Sequence, residues 1–134
     1  MSIQFSVSVR NSRLNAIETE VSTSPKLQIR TGTVPANCAA SDEGSLLVEI
    51  TCPSDWMAAA SSGAKALAGS WSGTAAATGV AAHFRLKDSA GSTTHIQGTV
   101  TGLGGGGDLI LDNPSIVTTQ TVNVLTFTLT DANS

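Results

Sequence analysis

The chain has 134 residues, of which 64 are Ala, Ser, Thr or Gly, whereas Asp and Glu together number 10, Lys and Arg 7, and His 2. Catalysis needs clustered titratable groups, and this composition supplies so few that we expect no enzyme. The net charge of −3 and the scattered cations argue against nucleic acid as a partner. No apolar run approaches the ~20 residues that span a bilayer, which argues against a membrane partner.

The length predicts a single β-rich domain over residues 1–134, with an N-terminal helical arm at 1–24 and a β body at 25–134. Residues 1–10 lack the cationic start and continuous apolar core of a secretory signal, so we expect synthesis in the cytoplasm. In that compartment Cys38 and Cys52 are expected to stay reduced.

The first predicted element is a helix over residues 11–21. Apolar residues at helical spacing form one narrow stripe there, made of Val7, Leu14, Ile17 and Val21. The start of the helix stays open, because Asn11 could cap it, it could begin near Ser6, or a short strand could precede it. A narrow stripe does not stabilise a helix alone, so this face is expected to lie on the β body or on a neighbouring subunit.

The rest of the chain alternates apolar and polar residues as short strands do. Strands are predicted at 26–31, 45–52, 80–87, 93–101, 108–111, 115–117 and 121–130, the last with a bulge near 124–125. Residues 32–44 are predicted to form a loop. Residues 56–60 resemble one or two helical turns capped by Ser54, and the low-complexity segment 61–79 could hold a strand near 67–72. This pattern predicts a mainly β fold, a β-sandwich, jelly roll or Greek key of about eight short strands with one N-terminal helix.

The clearest supersecondary unit is a hairpin of residues 80–87 and 93–101. Its alternation sets Phe84 opposite Ile96 on the inner face. The outer face carries polar side chains, and we expect them to contact water or another subunit. These outer residues are His83, Arg85, His95 and Gln97.

Three patterns look like functional motifs but lack the context that their chemistry needs. Gly102, Gly104 and Gly107 match a dinucleotide fingerprint but precede a strand instead of a helix, so a mobile loop or a close backbone passage is expected. His83 and His95 would lie about 7 to 8 Å apart, without the further ligands that a metal requires. Ser72, between glycines 69 and 73, lacks the helix that follows a hydrolase nucleophile. We therefore expect no catalytic, cofactor-binding or metal-binding residues.

Trp56 and Trp71 lie in the least regular part of the chain. A tryptophan in such a segment can fill an edge of the core, anchor a protein interface or stack on a sugar ring. The sequence leaves these three roles open.

Four segments carry a resemblance to a known class of proteins. Residues Val9–Glu18, Pro53–Met57, His83–Arg85 and Gly104–Asp108 resemble small proteins encoded in the structural gene modules of tailed bacteriophages, and the resemblance extends over most of the chain. It implies an assembly role and supplies no catalytic residues. Within this class, capsid cement or decoration proteins are often small, β-rich and trimeric, which agrees with the predicted fold.

On this resemblance we expect a non-enzymatic virion protein, made in the host cytoplasm, that stabilises the head lattice. The expected partners are the major capsid protein or another virion protein, together with further copies of the chain in a homotrimer. A tail or fibre β-module that binds a host receptor or glycan is the alternative. The candidate interface residues are Val7, Leu14, Ile17, Val21, Trp56 and Trp71.

Overall fold

The computed structural model describes residues 3–131, which form one helix and ten strands. The helix α1 spans Val7–Val21, and the strands are β1 Lys26–Arg30, β2 Leu46–Thr51, β3 Ala64–Ala66, β4 Ser72–Thr74, β5 Gly79–Val80, β6 His83–Lys87, β7 Thr94–Thr101, β8 Leu109–Leu111, β9 Ser115–Ile116 and β10 Thr121–Thr130. The predicted mainly β class with one N-terminal helix is confirmed.

Eight strands form one curled sheet in the order β2-β1-β6-β7-β8-β10-β3, with β4 also pairing with β10, and β5 pairs with β9 in a second small sheet. At the open end of the order, β4 comes close to β2. A Cβ atom at Gly73 of β4 would lie 3.0 Å from the Ile50 side chain and 3.3 Å from the Glu49 carbonyl oxygen. The two ends of the sheet therefore approach each other at a position where a side chain would be crowded.

The core inside this curl contains a chain of four aromatic rings. Trp56 lies 6.0 Å from Trp71, and Trp71 lies 5.6 Å from Phe127. Phe127 in turn meets Phe84 edge to face at 5.5 Å, a favourable aromatic geometry. Both indole N–H groups donate to main-chain carbonyls, Trp56 to Ser22 at 2.7 Å and Trp71 to Ala68 at 3.2 Å. Of the three roles left open for the tryptophans, filling the core is the one that the structure gives them.

The helix begins at Val7, the earlier of the alternatives that the sequence allows. Ser6 is its cap, because the Ser6 hydroxyl accepts from the Val9 amide at 3.2 Å. Asn11 lies inside the helix, where its side chain accepts from the Gly63 amide. The helix is therefore attached to the β body along its length and does not extend away from it.

Two local predictions between β2 and β4 are wrong. Residues 56–60 form no helical turn, because the Ala58 amide donates to Ala66 and the segment runs irregularly beside β3. The strand that segment 61–79 could hold near 67–72 is wrong in position: the segment holds β3, which ends at Ala66, and β4, which starts at Ser72, and Gly69 between them adopts a φ of +70°, outside the extended region.

The hairpin has the predicted faces but a different register. Phe84 lies opposite Gly98 and Leu86 opposite Ile96, so the predicted pairing is wrong by two residues. The inner and outer faces are as predicted because side chains alternate with a period of two, so a shift of two residues leaves each side chain on the same face. One of the two residues arises at the loop, where Lys87 pairs with Thr94 and not with Thr93, and the other arises from a bulge at His95. The two histidines of the outer face are therefore far apart, because His83 pairs with Thr99 at the other end of the ladder. The bulge predicted in β10 is confirmed by a register shift between residues 124 and 126.

Candidate functional site

The outer face of β1, β6 and β7 is covered by residues 32–44, here called the covering loop. Beneath it, Arg85 is 1% exposed and Lys87 is 6% exposed. The expectation that the polar outer face contacts water or another subunit is therefore wrong for Arg85, and also for His83, which is 0% exposed. The loop has few apolar residues to bury, and it instead brings carbonyl and carboxylate oxygens onto the polar strand residues.

Arg85 is the main fastening point of the covering loop. A guanidinium group has five N–H donors, and all five are used here. Nε donates to Gln97 Oε1 at 3.2 Å, Nη1 to the Ala40 carbonyl at 2.9 Å and to Asp42 Oδ1 at 2.6 Å, and Nη2 to the carbonyls of Asn37 at 3.2 Å and Cys38 at 3.0 Å. Arg85 is thus saturated by the protein, which makes it a structural residue with no donor left for a ligand.

Asp42 on the covering loop is shared among three cations. Its carboxylate lies 2.6 Å from Arg85, 2.7 Å from Lys87 and 3.8 Å from Arg30. The hydrogen bond from Lys87, followed by that from Arg85, lowers the pKa of Asp42 against the opposing effect of burial. Asp42 therefore stays ionised at neutral pH and acts as an ion-pair partner.

A cavity of about 340 Å³ lies between the covering loop and the hairpin. It is lined by the loop residues Cys38–Asp42, the strand residues Arg85 and Lys87, and the hairpin residues Ser92–Thr94. This cavity, with a buried lysine in its wall, is the candidate binding site of the molecule.

Burial shifts the pKa values of two further titratable groups, Cys52 and His83. Burial raises the pKa of the Cys52 thiol to about 12, so this sulfur remains protonated at neutral pH. Burial lowers the pKa of His83, because it disfavours the charged imidazolium, although the hydrogen bond between Nδ1 and the Gly32 carbonyl opposes this shift. The Nε2 atom of His83 is buried and has no hydrogen-bond partner among the described residues. Cys38 and Cys52 are both free thiols, as expected.

The structure places most of the predicted interface residues inside the chain. Leu14, Val21, Trp56 and Trp71 are all buried. We therefore assign these four to the core, since contact with another subunit through them would require the fold to open. Ile17 is partly buried against the core, whereas Val7 is about half exposed and accessible to a partner.

A second buried ion pair, which sequence reasoning missed, fixes the helix. Lys65 Nζ lies 2.6 Å from Glu18 and donates to Asn15 Oδ1 and the Ala58 carbonyl, each at 2.8 Å. Lys65 comes from the low-complexity segment, where a lysine normally indicates a solvated position. No local pattern distinguishes it, because its partners lie about 50 residues earlier in the chain or across a turn.

Within residues 3–131, no three His, Cys, Asp or Glu side chains come together in an arrangement that could hold a metal ion. No helix in this part of the chain is long and apolar enough to cross a membrane. Comparison of the chain with known protein families, with curated proteins and with solved structures finds no match.

Proposed function

We propose that this chain is a non-enzymatic structural protein of a phage virion, a capsid cement or decoration protein that covers junctions between capsid subunits. The proposal rests on the resemblance of four sequence segments to virion proteins and on one structural observation, an exposed apolar face on the small sheet of β5 and β9. We propose that this face binds the major capsid protein, and that the chain acts as a homotrimer.

The exposed apolar face follows from the pairing of β5 with β9. Val80 lies opposite Ser115, so Val117, two residues further along, projects from the same face. Val80 is 65% exposed and Val117 is 56% exposed. Leu103, which is 78% exposed, follows Gly102, where an added Cβ atom would lie 3.1 Å from Pro114, the residue before β9. Exposed apolar side chains that share one face are typical of protein-binding surfaces.

The use of the buried polar groups also favours a structural role. Arg85, Asp42 and Lys65 hold the covering loop and the helix onto the sheet, and each is engaged by other groups of the chain. A catalytic residue needs a free reactive atom in an accessible site. The alternative of a glycan-binding tail module receives less support, because both tryptophans are buried and so cannot stack on a sugar ring.

The experiment is a binding assay with particles produced from the genome that encodes the chain, stripped of this protein. Purified chain should rebind to the heads, and Val80→Ser combined with Val117→Ser should weaken rebinding at least tenfold. Leu125→Ser is the matched control, since it removes an exposed apolar side chain on β10. Rebinding to tails alone, or equal loss in the control, would contradict the proposal.

The trimer is tested separately by sedimentation of the purified chain at micromolar concentration and by its mass when released from particles. A monomer in both states would remove the trimer from the proposal and leave the capsid role to the rebinding assay.

A further inference from the structure

We propose that the cavity beneath the covering loop binds an anionic oxygen group, a carboxylate or a phosphate, with Lys87 as its principal contact. This inference concerns a different surface from the apolar face of β5 and β9, and it does not depend on the virion role.

The covered face carries more positive than negative charge. Arg30, Arg85 and Lys87 lie together on the covered face, and among residues 3–131 Asp42 is the one carboxylate within 4 Å of any of them. Buried charges are normally paired, because an unpaired charge in a low-dielectric site costs several kcal/mol. The cluster therefore has a surplus of positive charge that a second anion would balance.

Of the two cationic side chains that line the cavity, Lys87 has N–H donors to spare. Arg85 has none, because its five N–H groups are all engaged by the protein. The Lys87 ammonium has three, and within the described residues one of them is used, on Asp42 Oδ2 at 2.7 Å. The remaining donors belong to a side chain that lines the cavity. Lys87 is thus a buried cation with capacity for another acceptor.

The hairpin wall of the cavity carries hydroxyl groups that can contact an anion. Ser92, Thr93 and Thr94 form the side of the cavity opposite the covering loop, and each carries a hydroxyl group. The nearby Asp88 carboxylate is turned back onto its own loop, where it accepts from the Ser92 amide at 2.9 Å and from the Ser92 hydroxyl. A volume of about 340 Å³ has room for a small anion together with water.

The test is titration of the isotopically labelled chain with inorganic phosphate and, in parallel, with sodium acetate, at constant ionic strength. Saturable shifts of the Thr93 and Thr94 amides are expected in the wild type. Lys87→Met should weaken binding at least tenfold. Lys26→Met is the matched control and should bind within twofold of the wild type, because Lys26 lies one strand away, donates to the Thr51 hydroxyl and is absent from the cavity wall.

A third titration, with N-acetyl-glutamate amide, separates two sources of the anion. Binding of phosphate in preference to both carboxylates points to a free phosphate, whereas binding of the glutamate compound at least as well as acetate points to an acidic side chain of a protein. If Lys87→Met does not fold, Lys87→Arg, which keeps the charge, should retain saturable binding at the same amides. Absence of saturable shifts in the wild type, or equal affinity of Lys87→Met and the wild type, would overturn the proposal.

Discussion

Replacement of Arg85 by methionine tests whether the covering loop is held by this one side chain. Methionine is close in length to the stem of arginine and lacks the guanidinium group, so the substitution removes five hydrogen bonds and a buried charge. Counted singly, hydrogen bonds to a charged group are worth about 1.5–3 kcal/mol each, which would give an implausibly large sum. The loop can instead detach and return its carbonyls to water, which limits the loss. We therefore expect destabilisation by about 3–5 kcal/mol, the range for breaking a buried ion pair.

The measurement is urea unfolding combined with hydrogen exchange of the amides in residues 32–44. Arg85→Met should lower the free energy of unfolding and expose the loop amides to exchange. Arg85→Lys should fall between Arg85→Met and the wild type, because it keeps the charge with fewer donors. The control is Arg13→Met, which removes a guanidinium 3.1 Å from Asp131 that is 55% exposed, and it should cost less than about 1 kcal/mol. Equal effects of Arg85→Met and Arg13→Met, or unchanged exchange in the loop, would refute the role assigned to Arg85.

Three further predictions concern the core, pH and the helix. Phe84→Ala and Phe127→Ala should each lower the free energy of unfolding by about 3–5 kcal/mol, measured by thermal melting, because each leaves a cavity beside the other ring. The pKa of His83 lies below its ordinary value of 6.5, so on acidification the unfolded chain takes up a proton before the folded chain does. The free energy of unfolding should therefore fall as the pH drops below about 6.5. His83→Gln should remove this pH dependence, whereas His95→Gln should leave it in place. Lys65→Ala should speed hydrogen exchange throughout α1, since it leaves Glu18 and Asn15 without their buried partner.

The strands could be predicted because their signal is local. In β10 the apolar residues change parity after Val124, and the structure has its bulge there. The hairpin faces followed from the same alternation, whereas the register depended on the pairing at the hairpin loop and on a bulge at His95, neither of which alternation reveals. Local patterns therefore located most of the sheet but not the offset between two of its strands.

The candidate site could not be predicted from local patterns. Arg85 alternates with buried residues as an outward-facing polar residue does, and only the path of the covering loop makes it a buried one. The loop is held in place by hydrogen bonds that its carbonyl and carboxylate oxygens accept from strand side chains. One of these bonds joins Asp42 to Arg85, which lies 43 residues later in the sequence. The helix shows the same limit. Its apolar stripe predicted that Leu14 and Val21 would be buried, but it did not decide whether the β body or another subunit would bury them.

The measurement that tests the central proposal most directly is the location and copy number of the chain in purified particles, by quantitative mass spectrometry of separated heads and tails. A capsid cement protein should be found in the head fraction, in a number that matches the junctions of the capsid lattice. Recovery only with tails, in a few copies per particle, or complete absence from particles would contradict the proposal.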